Sequence, residues 1–148
     1  MLKLTTRGQY SVKALLDLSL QPHSTPVPVA AIAKRQNLPA SYLEKLLIEL
    51  RRSGLVKSVR GAQGGYVLAR PASQISLGQI LEAVGETVRL PSPPQAKRQQ
   101  AEDWVTYSLW RRLNVKLEDV LYGISLEDLY FDARSWQATQ GKEGHFIV

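Results

Sequence analysis

Cysteine is absent from this chain of 148 residues. Its absence excludes a disulfide framework and any metal site built on thiolates. Histidine is almost absent, with His23 in a loop and His145 near the end. Isolated imidazoles seldom make a site, so both are read as solvated, and no metal or other cofactor is expected. No run approaches the ~20 apolar residues that cross a bilayer. Arg7, Lys13 and Asp17 interrupt any signal-like apolar stretch at the start. No membrane partner is expected, and the cytoplasm is the default location. Nucleophile elbow, phosphate-binding P-loop and metal-ligand cluster are missing too, which argues against an enzyme. Acidic residues are scarce in one half only. Residues 1–70 carry 11 Lys+Arg against 3 Asp+Glu, a net +8, whereas residues 71–148 carry 8 against 10, a net −2.

What the basic half does contain is a pattern of helices ending in a hairpin. Gly8 to Leu20 reads as a first helix with Tyr10, Ala14, Leu15 and Leu18 inward, and Pro22 to Pro28 as a loop. Val29 to Gln36 is a short helical pattern with Ala30, Ile32 and Ala33 available for packing, interrupted by Asn37-Leu38-Pro39-Ala40. Ser41 and Glu44 stand in the S-x-x-E relation of a capping box, which predicts a helix starting at or near Ser41. Leu43, Leu46, Leu47 and Leu50 recur at the spacing of one buried face, leaving Tyr42, Lys45, Glu49, Arg51 and Arg52 largely outward. Gly54 follows as a left-handed cap would. Leu55 to Val59 and Tyr66 to Ala69 then read as two short strands around the glycine-rich Arg60 to Gly65 turn.

Helix, turn and capped helix followed by a basic hairpin is the pattern of a winged helix-turn-helix, whose second helix enters the major groove of duplex DNA. Ser41, Tyr42, Glu44 and Lys45 fall at the end of the helix that reaches base edges, and Arg60 at the hairpin tip suits a narrow minor groove. Lys3, Arg7, Lys34, Arg35, Arg51, Arg52, Lys57 and Ser58 are candidates for phosphate contacts, which position without specifying sequence. The plainer alternatives are helix capping for Ser41 and Glu44, and a solvated helix end for Arg51 and Arg52. No aromatic-studded strand of the kind that stacks single-stranded RNA is visible.

In the second half, Ser76 and Gln79 repeat the capping signature before LGQILEAVGE. Pro91, Pro93 and Pro94 interrupt regular structure, and a long helix resumes near Gln99. Along it Val105, Leu109, Leu113, Leu117, Val120, Leu121 and Ile124 form an apolar stripe, for which the economical cover is a second copy of the chain in a twofold homodimer. Ser125 with Asp128 caps a last short helix, SLEDLYFDARSW. The expected division is a winged domain over residues 1–75, a connecting helix and proline-rich loop over 76–100, dimerisation helices over 101–140 and a frayed tail over 141–148. The fold class is mainly α with a small β-hairpin wing. Trp104, Tyr107, Trp110, Tyr122, Tyr130 and Trp136 concentrate aromatic surface here. They read as core and dimer seam, or, for Trp104, Tyr107 and Trp110, as the wall of a pocket for an apolar or planar effector. Lys97 and Arg98 in the loop are an alternative surface for a protein effector, or simply part of a connector.

The opening LTTRGQYSVKALLDL, the SYLEKLL helix, the RGAQGGYVL hairpin and SLWRRLNVKLEDVLYGISLEDL together resemble the Rrf family of bacterial winged-helix regulators, which includes IscR, NsrR and CymR, over most of residues 2–130. The resemblance implies a dimeric transcription factor on a pseudo-palindromic operator, and the expected function is repression, with activation the other sign such a factor can take. It favours Ser41, Glu44 and Lys45 as base-facing positions and Arg60 as the groove contact of the wing. In many members the loop before the long helix carries three cysteines and a nearby histidine that hold an iron–sulfur cluster. Here the third cysteine position falls on Trp104 and the histidine position on Tyr107, so cluster sensing is not expected. A winged module that binds protein partners and no longer reads DNA, or a regulator controlled by such a partner, is the alternative function.

Overall fold

The first helix is the hub, because its inward side chains are shared by almost every later element. The structure, a computed structural model, describes residues 4–22, 24–91 and 100–146. Helix α1 (Thr6–Leu20) buries Ala14, Leu15 and Leu18 against α2 (Val29–Gln36), α3 (Ala40–Arg52) and α4 (Leu77–Ala83). Tyr10, expected in the core, is only half-buried and meets the ring of Tyr42 edge-on at 5.9 Å. Ile32 and Ala33 of α2 are buried, but Ala30 is exposed, and half-buried Ala31 packs in its place. Leu43, Leu46, Leu47 and Leu50 of α3 are almost wholly inaccessible, each contributing about 1.5–3 kcal/mol relative to an exposed side chain.

Two turns set how α2 and α3 meet and how α3 ends. Asn37 adopts a left-handed conformation and Leu38 N–H bonds the Ala33 carbonyl at 2.9 Å, closing α2. Gly54, at φ +78°, does the same for α3, with its N–H on Arg51 and that of Leu55 on Leu50. Those two bonds satisfy carbonyls that the helix end would leave orphaned. Strands β1 (Val56–Val59) and β2 (Gly65–Leu68) then pair antiparallel, Val56 with Leu68 and Val59 with Gly65. The loop of residues 22–28 is not wholly irregular. Val27 joins the sheet by a bridge to Tyr66, with both N–H to O bonds at 2.9 Å.

A 3₁₀ turn (Ala72–Gln74) leads to α4, whose N-terminus carries the reciprocal Ser76–Gln79 bonds at 3.1 and 2.9 Å that its sequence predicts. Helix α5 (Ala101–Gly123) packs on α4, and α6 (Leu126–Phe146) on α1 and the 3₁₀ turn. Ser125 and Asp128 cap α6 reciprocally at 2.9 and 3.1 Å. The two capped serines face one another in an isolated bridge, Leu77 N–H bonding Ile124 and Leu126 N–H bonding Ile75. The last helix is not short. It continues to Phe146, and Gly141, the expected start of a frayed tail, does not adopt the positive φ that would end it.

Candidate nucleic-acid interface

Helix α3 presents its polar side to solvent because its leucines occupy the other side. Ser41, Glu44 and Lys45 are exposed along its first turns, and Arg51 and Arg52 along its last. The Ser41–Glu44 capping box does not form. Pro39 takes the cap position, its carbonyl accepting the Leu43 N–H at 3.0 Å, and Ser41 lies inside the helix. Both side chains are thereby released from capping. Tyr42 is half-buried against Tyr10, so only part of its ring is available outward. Glu49, also expected outward, is half-buried with Oε2 enclosed.

On the wing Lys57, Ser58, Val59 and Arg60 are exposed, with Arg60 starting the 60–64 loop. Gly61 has φ +112°, and a side chain on Gly64 would strike the Val59 carbonyl, so this loop can be tight only with glycine at these places. Lys34 is exposed at the end of α2. Lys3, His23, Lys97 and Arg98 lie outside the described residues, as does the side chain of His145.

Two of the expected phosphate-binding arginines have partners within the chain. Arg35 donates from Nε and Nη2 to the Asp17 carboxylate at 2.9 and 2.8 Å, and Gln36 Nε2 adds a third bond at 2.8 Å. Asp17 is 2% exposed, and its bond to Arg35 holds that guanidinium more firmly protonated. Arg7 lies 3.6 Å from the buried carboxylate of Glu86, which also accepts from the backbone and hydroxyl of Thr5. Burial alone would raise the Glu86 pKa, but the Thr5 bonds and Arg7 outweigh it and hold the group below its ordinary value. Asp17 left a trace in the sequence, a lone acid among the apolar residues of α1. Glu86 left none.

The third unforeseen residue is Tyr66. Burial pushes its phenol up, the nearby charge of Glu44 pushes it further, and Arg51 opposes. Its ring is buried in one cluster with the leucines of α3, so wing and recognition helix share a core at the base of the hairpin.

The profile of the Rrf2 family, described as "Iron-dependent Transcriptional regulator", matches residues 4–132. The chain belongs to the Rrf2 family. An HTH-type transcriptional regulator of Synechocystis, slr0846, is 59% identical over 148 residues, covering 99% of this chain and 100% of its own length. Among solved structures, CymR, the global cysteine regulator of B. subtilis, superposes with a TM-score of 0.74 at 35% identity, covering 88% of this chain and 97% of its own. IscR of T. potens gives 0.73 at 40%, covering 92% and 91%. This Rrf2 protein is thus a DNA-binding transcriptional regulator by family, and its named relatives are regulators, not enzymes.

The residues of this Rrf2 chain do not fit the iron chemistry in the family's description. It has no cysteine, and no group of three His, Cys, Asp or Glu that could hold a metal occurs among the described residues. Trp104, 60% exposed, and half-buried Tyr107 supply neither thiolate nor imidazole. Trp110 is exposed as well, and a cavity of about 390 Å³ lies between the end of α1 and β2. Along α5, Val105, Leu109, Leu113 and Val120 are 39–56% exposed, while Leu117 and Ile124 are half-buried. Leu121 departs from the expected seam: it is buried within its own chain, beside Gly8, Val12, Leu77 and Leu81. Tyr122 lies over Gly78, where a methyl group would meet its ring at 2.6 Å, and burial with the Glu82 carboxylate pushes its hydroxyl up to about 12. Among the described residues, no helix is long and apolar enough to cross a membrane.

Proposed function

We propose that this protein binds duplex DNA as a homodimer, placing two copies of α3 on the halves of a pseudo-palindromic operator, and represses transcription from the cytoplasm without an iron–sulfur cluster. The observation that carries the reading is the exposed row Ser41, Glu44 and Lys45 on α3 with the Arg60 loop beside it. A row of short polar, acidic and basic groups suits base edges, and an arginine on a hairpin suits the neighbouring minor groove. Lys34, Arg51, Arg52, Lys57 and Ser58 supply phosphate contacts. Arg7 and Arg35 contribute less because their guanidinium groups already face carboxylates. The second copy follows from the exposed stripe on α5, which is too apolar to leave in water.

Selection of bound fragments from genomic DNA by the purified protein tests this reading. The enriched sites should be inverted repeats with half-sites about one helical turn apart. Lys45→Ala and Arg60→Ala should weaken operator binding and leave the dimer intact, whereas unchanged affinity in both would remove the base-reading assignment. Lys57→Ala should weaken all sequences equally and lower the salt slope by about 1. Repression is checked by transcription in vitro from a selected promoter. Salt-steep binding without sequence preference would instead favour a protein-interaction module.

A further inference from the structure

The outer edge of β2 is only partly covered, and the uncovered part borders a cavity. In an antiparallel ladder the N–H and C=O of one residue point to the same side, and successive residues alternate. Tyr66 turns both groups away from β1 and exchanges bonds of 2.9 Å with Val27. Leu68, two residues on, turns its own the same way. Thr25, which would face it in a longer strand, bonds the Pro22 carbonyl at 3.3 Å instead, and the Leu68 N–H and C=O have no partner among the described residues. The cavity of about 390 Å³ runs along this edge, with Leu18, Val27, Leu68 and Pro71 as apolar walls and Thr25 and Arg70 as polar ones. Its size suits a small organic ligand. Neither Asp nor Glu lines it among the described residues. Half-buried Arg70 has no carboxylate partner there and donates only from Nε, to the Gly54 carbonyl at 3.4 Å, which leaves its terminal N–H groups free. A backbone N–H and an arginine beside apolar walls call for an anionic head on an apolar body, and a carboxylate accepts from both donors in strong, charge-assisted bonds.

We infer that the cavity between α1 and β2 binds a small organic carboxylate, its acid group on the Leu68 N–H and the Arg70 guanidinium and its apolar body against Leu18, Val27 and Pro71. The site stands whether or not α3 reads bases. One of its walls is the Val27–Tyr66 bridge, which joins the wing to the segment entering α2. An occupant bonded to Leu68 prolongs that bridge along the same edge, and so stiffens the mounting of the wing.

The test titrates full-length, nitrogen-15-labelled protein with phenylacetate, indole-3-acetate and octanoate, each beside its own amide, and with inorganic phosphate as an anion that lacks the body. At least one carboxylate should give saturable amide shifts centred on Val27, Leu68 and Arg70, and bind about tenfold or more tighter than its amide. Arg70→Met, which keeps the stem and removes the charge, should abolish that preference. Thr25→Trp, which fills the mouth from an exposed position, should remove binding altogether. Hydrogen exchange at Val27 and Tyr66 should slow severalfold at saturation, because the ligand binds only the closed edge. No saturable shift from any of the three carboxylates, shifts that phosphate reproduces, equal binding of acid and amide, or a preference that survives Arg70→Met would each overturn the site. Binding that leaves exchange at Val27 and Tyr66 unchanged would overturn the stiffening of the wing while the site stands.

Discussion

Arg35→Met should destabilise the protein more than Asp17→Asn, although both break the same ion pair. The Asp17 side chain is 1% exposed and that of Arg35 41%. Methionine keeps much of the arginine stem but strands a buried carboxylate with one remaining donor, Gln36 Nε2 at 2.8 Å. Asparagine keeps the shape of Asp17 and releases a guanidinium that can turn to water. Leaving an unpaired buried charge costs about 3–5 kcal/mol in the general case. The surviving Gln36 bond and the screening of a half-exposed partner reduce this to about 2–3 kcal/mol for Arg35→Met, against about 1–2 kcal/mol for Asp17→Asn. At about 2–4 °C per kcal/mol for a chain of this size, Arg35→Met lowers Tm by about 4–12 °C. Urea unfolding followed by circular dichroism measures the difference, at one fixed protein concentration because the stability of the proposed dimer would depend on it. An Asp17→Asn variant as unstable as Arg35→Met, or more so, would refute the reasoning.

Glu86 is held below its ordinary pKa in the folded chain, so its contribution is complete above the ordinary carboxylate range and is lost as pH falls through that range and below. The urea midpoint of Glu86→Gln should therefore lie below that of the parent at about pH 6 and approach it at about pH 3, and a constant gap would contradict this assignment. Gly65 has φ +155°, and a methyl group there would strike the Val27 backbone. Gly65→Ala should cost about 2–3 kcal/mol and speed hydrogen exchange at Val27 and Tyr66, while unchanged protection would count against the bridge. Leu109→Glu with Leu113→Glu places charges in the proposed seam and should weaken dimerisation by about 100-fold or more. Sedimentation should then find a folded monomer, and a persistent dimer would move the seam elsewhere.

Local patterns were the readable part of this fold. The leucine spacing of α3, Gly54, the hairpin glycines and the Ser76–Gln79 and Ser125–Asp128 caps each involve residues a few positions apart, and their physics is settled locally. Ser41–Glu44 shows the same signature and fails because Pro39, two residues before Ser41, takes the cap position. The ties Asp17–Arg35 and Thr5–Glu86 span 18 and 81 residues, and nothing in either segment names its partner. Periodicity found the stripe on α5 but could not tell that Leu121 faces inward, since only the position of α4 decides which part of that stripe is already covered. In the candidate site, the exposed row on α3 follows from amphipathicity, whereas the bridge between Tyr66 and Val27 depends on how the wing folds back.

The bridge between Ser76 and Ser125 closes the intervening 76–125 segment into a handle fastened at both ends to the winged part. The outward positions of α5 can be rebuilt without disturbing what that handle is fastened to, whereas α4 within it belongs to the shared core. A change of sensing surface along α5 would then leave the mounting of α3 and the wing as it is.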